Sequence, residues 1–223
     1  MDAVIKIGGS VLQQNSIKEL CNILDGLIKE FSFVILPGGG AYANLVRNYY
    51  KTYQLSDDTA HWMAILTENI LGFLLLEHLE LGVPVFTISE LSKVTETSKI
   101  PIFMPFQHMF KHDPLPHSWD VTSDSIAAYL AELLQAQKFI LLKDVDGIYT
   151  RDPKQSHLED VQLIEKIDLK THNLSAFHTC IDNYLPSLLK QYQRSCYIVN
   201  GLHPNRLVKI LQNQKTIYTL IEI

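Results

Sequence analysis

Ala3-Val4-Ile5-Lys6-Ile7-Gly8-Gly9-Ser10 reads as a short apolar strand that breaks into a glycine pair. Two residues without side chains leave consecutive backbone N–H groups open to an anion, and the strand delivers one cation, Lys6, to the same end. Downstream, Phe33-Val34-Ile35-Leu36-Pro37 runs into Gly38-Gly39-Gly40 and then into the helical opening Ala41-Tyr42-Ala43. Amides at a helix start lie at the positive end of its dipole. A tight turn alone accounts for one or two glycines, but three in succession exceed that need. Two anion-holding turns predict two phosphates, or a donor and an acceptor.

Outward from these turns, β-branched and aromatic runs recur at 3–7, 33–36, 83–88, 100–104, 139–142, 196–199 and 217–221. Between most of them lie segments with helical spacing, at 17–31, 41–50, 58–81, 122–136, 184–192 and 204–212. This alternation predicts an α/β fold, a mostly parallel sheet with helices on both faces. The 223 residues suit a single domain, 1–223. The Pro- and His-rich stretch 101–117 reads as a loop between sheet halves. In open α/β sheets ligands lie beyond the carboxyl ends of the strands, where Gly8, Gly38, Asp120 and Lys143 all fall in this reading.

Charge and composition narrow the function. The formal net charge is -5 with no Lys/Arg run, which argues against nucleic acid as a partner. Cys21, Cys180 and Cys196 are far apart and lack CxxC spacing, which suits a reducing compartment and no metal knuckle. The acidic Asp2 before a short strand is unlike a signal peptide, and apolar stretches such as 70–76 are short of a membrane span. The expectation is a cytoplasmic protein without a membrane partner.

Two further runs carry chemistry. His117-Ser118-Trp119-Asp120-Val121-Thr122-Ser123-Asp124 opens an amphipathic helix with Ile126, Ala127, Leu130, Leu133 and Leu134 on its apolar face. Capping uses one carboxylate, leaving Asp124 to hold a lysine through a salt bridge. Phe139 to Leu142 is a buried strand that leads into Lys143-Asp144-Val145-Asp146-Gly147-Ile148-Tyr149-Thr150-Arg151-Asp152-Pro153-Lys154. A hairpin explains its glycine turn; the density of charge also suits the lining of a nucleotide pocket. His108 and His112 have the i, i+4 spacing of a metal pair, but three loop histidines with His117 are the simpler account, and no metal site is assigned.

Taken together and in order, Lys6 to Ser10, Gly38 to Gly40, Asp120 with Asp124, and the Lys143 to Pro153 run resemble the signature of the amino acid kinase superfamily. The resemblance implies an open, mostly parallel eight-stranded sheet sandwiched between helix layers, with ATP over the C-terminal part and the acceptor over the N-terminal part. It implies in-line phosphoryl transfer in which Lys6 stabilises the transferring group, Gly8, Gly9 and Ser10 hold its oxygens, and Asp124 orients the lysine. Gly38, Gly39 and Gly40 would hold the acceptor. Lys143, Asp144, Gly147, Tyr149, Asp152 and Lys154 would surround the nucleotide, with Mg²⁺ carried mainly by its phosphates. Relatives usually dimerise, so a homodimer or higher homo-oligomer is expected.

The carboxylate-phosphorylating branch carries a second lysine where this chain has Ser187, so the acceptor is expected to be another group. The 57–69 and 117–127 runs most resemble a branch whose acceptor is an aminomethylfuran phosphate. Such an acceptor needs a basic or N–H-rich end, an acidic end and an aromatic wall. Gly38 to Gly40 with Arg47 would supply the first, Asp57, Asp58 or Asp120 the second, and Trp62 or Trp119 the third. Helix capping by Asp57-Asp58 and a core role for Trp62 remain open alternatives. Two rival readings are a uridylate-type nucleoside monophosphate kinase and a non-catalytic nucleotide-binding or molybdate-storage relative.

Overall fold

The computed structural model describes residues 1–12, 17–152, 161–172, 174, 177 and 179–223. One sheet holds β1 (Ala3–Ile7), β2 (Phe33–Pro37), β3 (Gly82–Val85), β4 (Ile100–Phe103), β5 (Lys138–Lys143), β6 (Lys166–Asp168), β7 (Cys196–Asn200) and β8 (Thr219–Glu222). Their order across the sheet is β3-β4-β2-β1-β5-β7-β8-β6, parallel except that β7 and β8 are antiparallel. The described helices are α1 (Gly9–Leu12), α2 (Ile17–Leu27), α3 (Gly40–Tyr53), α4 (Asp57–Leu76), α5 (Ile88–Thr95), α6 (Pro105–His112), α7 (Ser123–Leu133), α8 (Leu185–Tyr192) and α9 (Asn205–Leu211).

Strand β1 lies between β2 and β5, with Ile7 level with Pro37 on one side and Leu142 on the other. The chain leaves β1 towards β2 but leaves β5 for the β7 side. Neighbouring strands whose connections diverge open a crevice at their carboxyl ends, which is where such sheets bind ligands. All five residues of β1 are buried, as a strand covered on both faces requires.

Alternation along the strands divides the core into two layers. Val4, Val34, Leu36, Phe139 and Leu141 pack against residues of α7 and α8, whereas Ile5, Ile7, Ile35, Ile140 and Leu142 pack with α2, α9 and the end of α4. Lys6 shares the face of Val4, and is thereby aimed at the α7 side.

The structure departs from the sequence reading in several elements. The 83–88 run stops at Val85, because Thr87 and Glu90 form a capping box that starts α5. The 101–117 stretch is not a loop: Pro105 sits in the first turn of α6, where proline lacks only a hydrogen bond that the helix start would not make. Met109 is buried, and Phe106 and Phe110 meet Trp62 of α4. The helix expected over 58–81 ends at Leu76. The three-residue β6 carries too short a pattern to be seen in sequence. By length and a hydropathy of 1.3, α4 is itself long and apolar enough to cross a membrane, beyond the 70–76 stretch. It packs here against α3 and α6 and buries Glu68 and His61.

Candidate active site

The carboxyl ends of β1 and β5 bring two lysines to one carboxylate. Lys6 Nζ lies 2.9 Å from Asp124 Oδ1, and Lys143 Nζ donates to Asp124 Oδ2 at 2.6 Å. All three are buried. Asp124 stands in the first turn of α7, whose N-cap is Thr122, so Asp120 lies ahead of the helix and does not share a helical face with Asp124. Burial alone would raise the Asp124 carboxyl; Lys143 and Lys6 outweigh it and hold it at about 2. Burial pushes Lys6 below its usual value against the pull of Asp124, while at Lys143 that carboxylate outweighs burial and the pKa is raised. With one carboxylate between two ammonium groups, the cluster favours an anion.

Asp182 fixes this arrangement. Its Oδ2 accepts from the Thr122 amide and hydroxyl and from the Ser125 amide, its Oδ1 from the Ser125 hydroxyl and the Leu185 amide. One carboxylate thus ties the starts of α7 and α8 together. The Asp182 amide itself donates to Asp124 Oδ2 at 3.3 Å.

The two glycine turns meet in front of the lysines. A Cβ on Gly9 would lie 2.2 Å from Gly40 Cα, so the backbones approach as only glycine permits. The Gly8 amide donates to Leu142 O and the Gly38 amide to Ile7 O, both at 2.8 Å. These amides extend the sheet and are not open to an anion, which corrects the expectation for Gly8 and Gly38. The amides at the starts of α1 and α3, from Gly9, Ser10, Gly40 and Ala41, have no intrahelical acceptor.

Three clefts run in series through this centre. The first, with a cavity volume of ≈ 60 Å³, is lined by Gly39, Ala43, Arg47, Asp57, His61, Ala64, Ile65, Glu68, Ser118, Trp119, Val121, Thr122, Ser123 and Ile126. Arg47, Trp119 and Thr122 are shared with a second, ≈ 280 Å³, that holds Lys6, Asp124 and Lys143. Ile181, Asp182 and Asn183 are shared in turn with a third, ≈ 790 Å³, that continues to Lys170, His172, Phe177, Ser187 and Lys190. The Arg47 guanidinium stacks 5.0 Å from the Trp119 ring.

Several residues singled out in the sequence lie elsewhere. Lys143, expected around the nucleotide, pairs with Asp124 beside Lys6. Asp58 is exposed and bonds His117 Nδ1 at 2.6 Å, and Asp120 accepts from Asn183 Nδ2 at 2.8 Å; neither lines the first cleft, whereas Asp57 does. Trp119 walls that cleft, while Trp62 packs with Phe106, Phe110 and His117. Asp144, Gly147, Tyr149 and Asp152 line none of the three clefts. Gly147 instead backs onto Thr219, whose Oγ1 a Cβ there would meet at 2.2 Å, and Tyr149 bridges to Leu163. Lys154 lies outside the described residues. His108 bonds Tyr129 and stacks near His112, and the described residues gather no three His, Cys, Asp or Glu side chains as a metal cluster.

Sequence reading gave no role to Glu68, His61 or Asp182. Glu68 was legible in principle: it falls on the 61, 65, 68, 72, 75 stripe of α4 that is otherwise buried and mostly apolar. Burial drives the His61 pKa down to about 4, helped by the His117 ring stacked at 4.3 Å.

Comparison with known proteins gives a concordant picture. The model of the amino acid kinase family matches residues 1–179. The chain is 35% identical over 222 residues, 98% of this chain and 96% of the other, to [5-(aminomethyl)furan-3-yl]methyl phosphate kinase of Methanocaldococcus jannaschii. It is 23% identical to uridylate kinase of Archaeoglobus fulgidus, across 96% of this chain and 97% of that one. The crystal structure of uridylate kinase from Archaeoglobus fulgidus superposes with a TM-score of 0.77 at 19% identity, covering 99% of this chain and 100% of that one. That likeness shows the same fold.

Proposed function

We propose, from the premise that the chain belongs to the amino acid kinase family, that it transfers a phosphoryl group from ATP to the phosphate of a small phosphomonoester. The carrying observation is the buried Lys6–Asp124–Lys143 centre set between two clefts. In this reading the acceptor occupies the first cleft, the nucleotide the third, and the transferring group passes the lysines.

In-line phosphoryl transfer leaves little covalent work for the protein; positioning and charge stabilisation do most of it. Lys6 and Lys143 meet the charge spread over the equatorial oxygens, and Asp124 keeps both ammonium groups aimed without neutralising both. Amides of Gly9, Ser10 and Gly40 hold phosphate oxygens, with Arg47 at the shared mouth. Lys143 supplies the second lysine that the Ser187 position lacks. Magnesium, brought in on the donor's phosphates, would offset their charge.

For the acceptor we favour [5-(aminomethyl)furan-3-yl]methyl phosphate, giving its diphosphate. Identity of 35% over nearly all of both chains supports this, as does a cleft walled by Trp119, Ile65 and Ile126 that suits a small flat ring. A uridylate-type acceptor is the second reading, because an Archaeoglobus fulgidus uridylate kinase aligns over 96% of this chain. ADP release measured with ATP and either acceptor decides between them. Turnover of the furan phosphate at least tenfold faster than of UMP is expected, and preference for UMP would reverse the assignment. Release with neither would leave a nucleotide-binding or storage role, for which bound Mo or W is the readout.

Self-association belongs to the same proposal. Tyr42, Leu45, Tyr49 and Tyr53 form an exposed row on α3, and Leu66, Ile70 and Phe73 another on α4. Sedimentation should give at least a dimer, and a Phe73→Glu variant should shift it towards monomer.

A further inference from the structure

Glu68 is a buried acid that the reaction centre leaves unused. It is 4 % exposed, it lines the first cleft, and its Oε2 has no hydrogen-bond partner among the described residues. Lys6 attracts it electrostatically, but the Lys6 ammonium is already held at Asp124. An orphaned carboxylate in a protein interior is costly, and one that borders a cavity is explained when a ligand completes it. Burial holds the Glu68 carboxyl well above the usual carboxylate range, and a cationic donor beside it would restore the ionised form and complete its oxygens.

The rest of the lining is varied in chemistry. At Gly39 it touches the start of α3, where amides favour phosphate. Ile65, Ile126 and Trp119 supply apolar and aromatic wall. Two helical turns from Glu68 along α4, His61 presents a buried Nε2 that also lacks a partner among the described residues. With its pKa near 4 this ring is neutral at pH 7, so it adds no cation that could pair with Glu68.

We propose that Glu68 recognises a primary ammonium group on the acceptor, so that the cleft selects phosphomonoesters carrying an amine over those ending in a neutral group. The inference rests on the acceptor reading given above and adds to it the residue that sets specificity. A compact ammonium with three donors fits a single carboxylate within a walled cleft better than a planar guanidinium, which asks for a two-oxygen fork.

The test is a cycle of two proteins and two acceptors: wild type and Glu68→Gln, each with the aminomethylfuran phosphate and with its hydroxymethyl analogue, ATP saturating. Wild type should favour the amine, and Glu68→Gln should lose roughly 10- to 100-fold in kcat/KM for it, the range of a hydrogen bond to a charged group. The loss for the hydroxymethyl analogue should be no more than about threefold. Equal losses for both acceptors, or none, would overturn the assignment of Glu68. If wild type turns over both furans equally, the acceptor reading survives and the ammonium-recognition proposal fails. Turnover of neither furan by a folded wild type that binds ATP would sink both. Thermal melting of the variant separates misfolding from lost recognition, and Glu68→Asp, which keeps the charge, should recover part of the amine preference.

Discussion

Replacing Asp124 by Asn keeps the shape of the side chain and removes the charge that two buried lysines share. The Asp124 carboxyl is held at about 2 against an ordinary 3.8. That shift corresponds to roughly 2–3 kcal/mol of stability at neutral pH. Its folded pKa is depressed, so the contribution is complete above the unfolded value near 3.8 and disappears as the pH falls through 2. The variant also strands Lys6 and Lys143 beside one another, and breaking a buried pair from one side costs about 3–5 kcal/mol. Urea unfolding at pH 7 should therefore show a loss of about 3–5 kcal/mol for Asp124→Asn. The gap to wild type should narrow by roughly 2 kcal/mol when both are measured near pH 2. Turnover should fall with the aim of both lysines. A loss below about 1 kcal/mol at pH 7, or a gap that stays constant down to pH 2, would refute an ionised Asp124 clamping two charged lysines.

Three other outcomes are expected. Lys6→Ala leaves Asp124 paired with Lys143, so the fold should persist in a circular-dichroism melt while kcat drops about 10²- to 10³-fold; a wild-type rate would remove Lys6 from the mechanism. Gly9→Ala forces a Cβ to 2.2 Å from Gly40 Cα and should yield unstable, inactive protein, whereas Gly26→Ala, with nothing within 4 Å, should melt at or slightly above wild type. Asp182→Ala removes acceptors from the starts of α7 and α8 and should cost about 1–3 kcal/mol in denaturant, with kcat falling further as Asp124 loses its support; an unchanged midpoint would deny the bridging role.

How much was legible depended on whether a signal was local. Strands β1, β2, β5 and β7 stood out because a parallel strand buried on both faces is a continuous apolar run. α6 was hidden by its own composition, since Pro105 and several histidines read as loop until the first-turn position of the proline and the packing of Met109 are seen. β6 was too short to carry a period. Lys6 and Asp124 were identified as partners by order and resemblance, and the alternation of β1 explains their contact. Lys143 was expected around the nucleotide by resemblance and by its charged neighbours in sequence; that it also shares Asp124 with Lys6 is visible only in space.

The sequence by itself determined the class of fold, the two glycine turns, the conjunction of Lys6 with Asp124 and the family resemblance. Each of these is written in contiguous residues or in their period. Only the tertiary structure decided which amides remain open, because Gly8 and Gly38 donate to strands that are distant in the chain. It alone showed that Lys143 shares Asp124, that Asp182 reaches 60 residues back to Thr122 to tie two helix starts, and that Glu68 is buried without a partner among the described residues at the wall of a cleft. Propensity and period act over a few residues, whereas desolvation and charge pairing act between whatever the fold brings together.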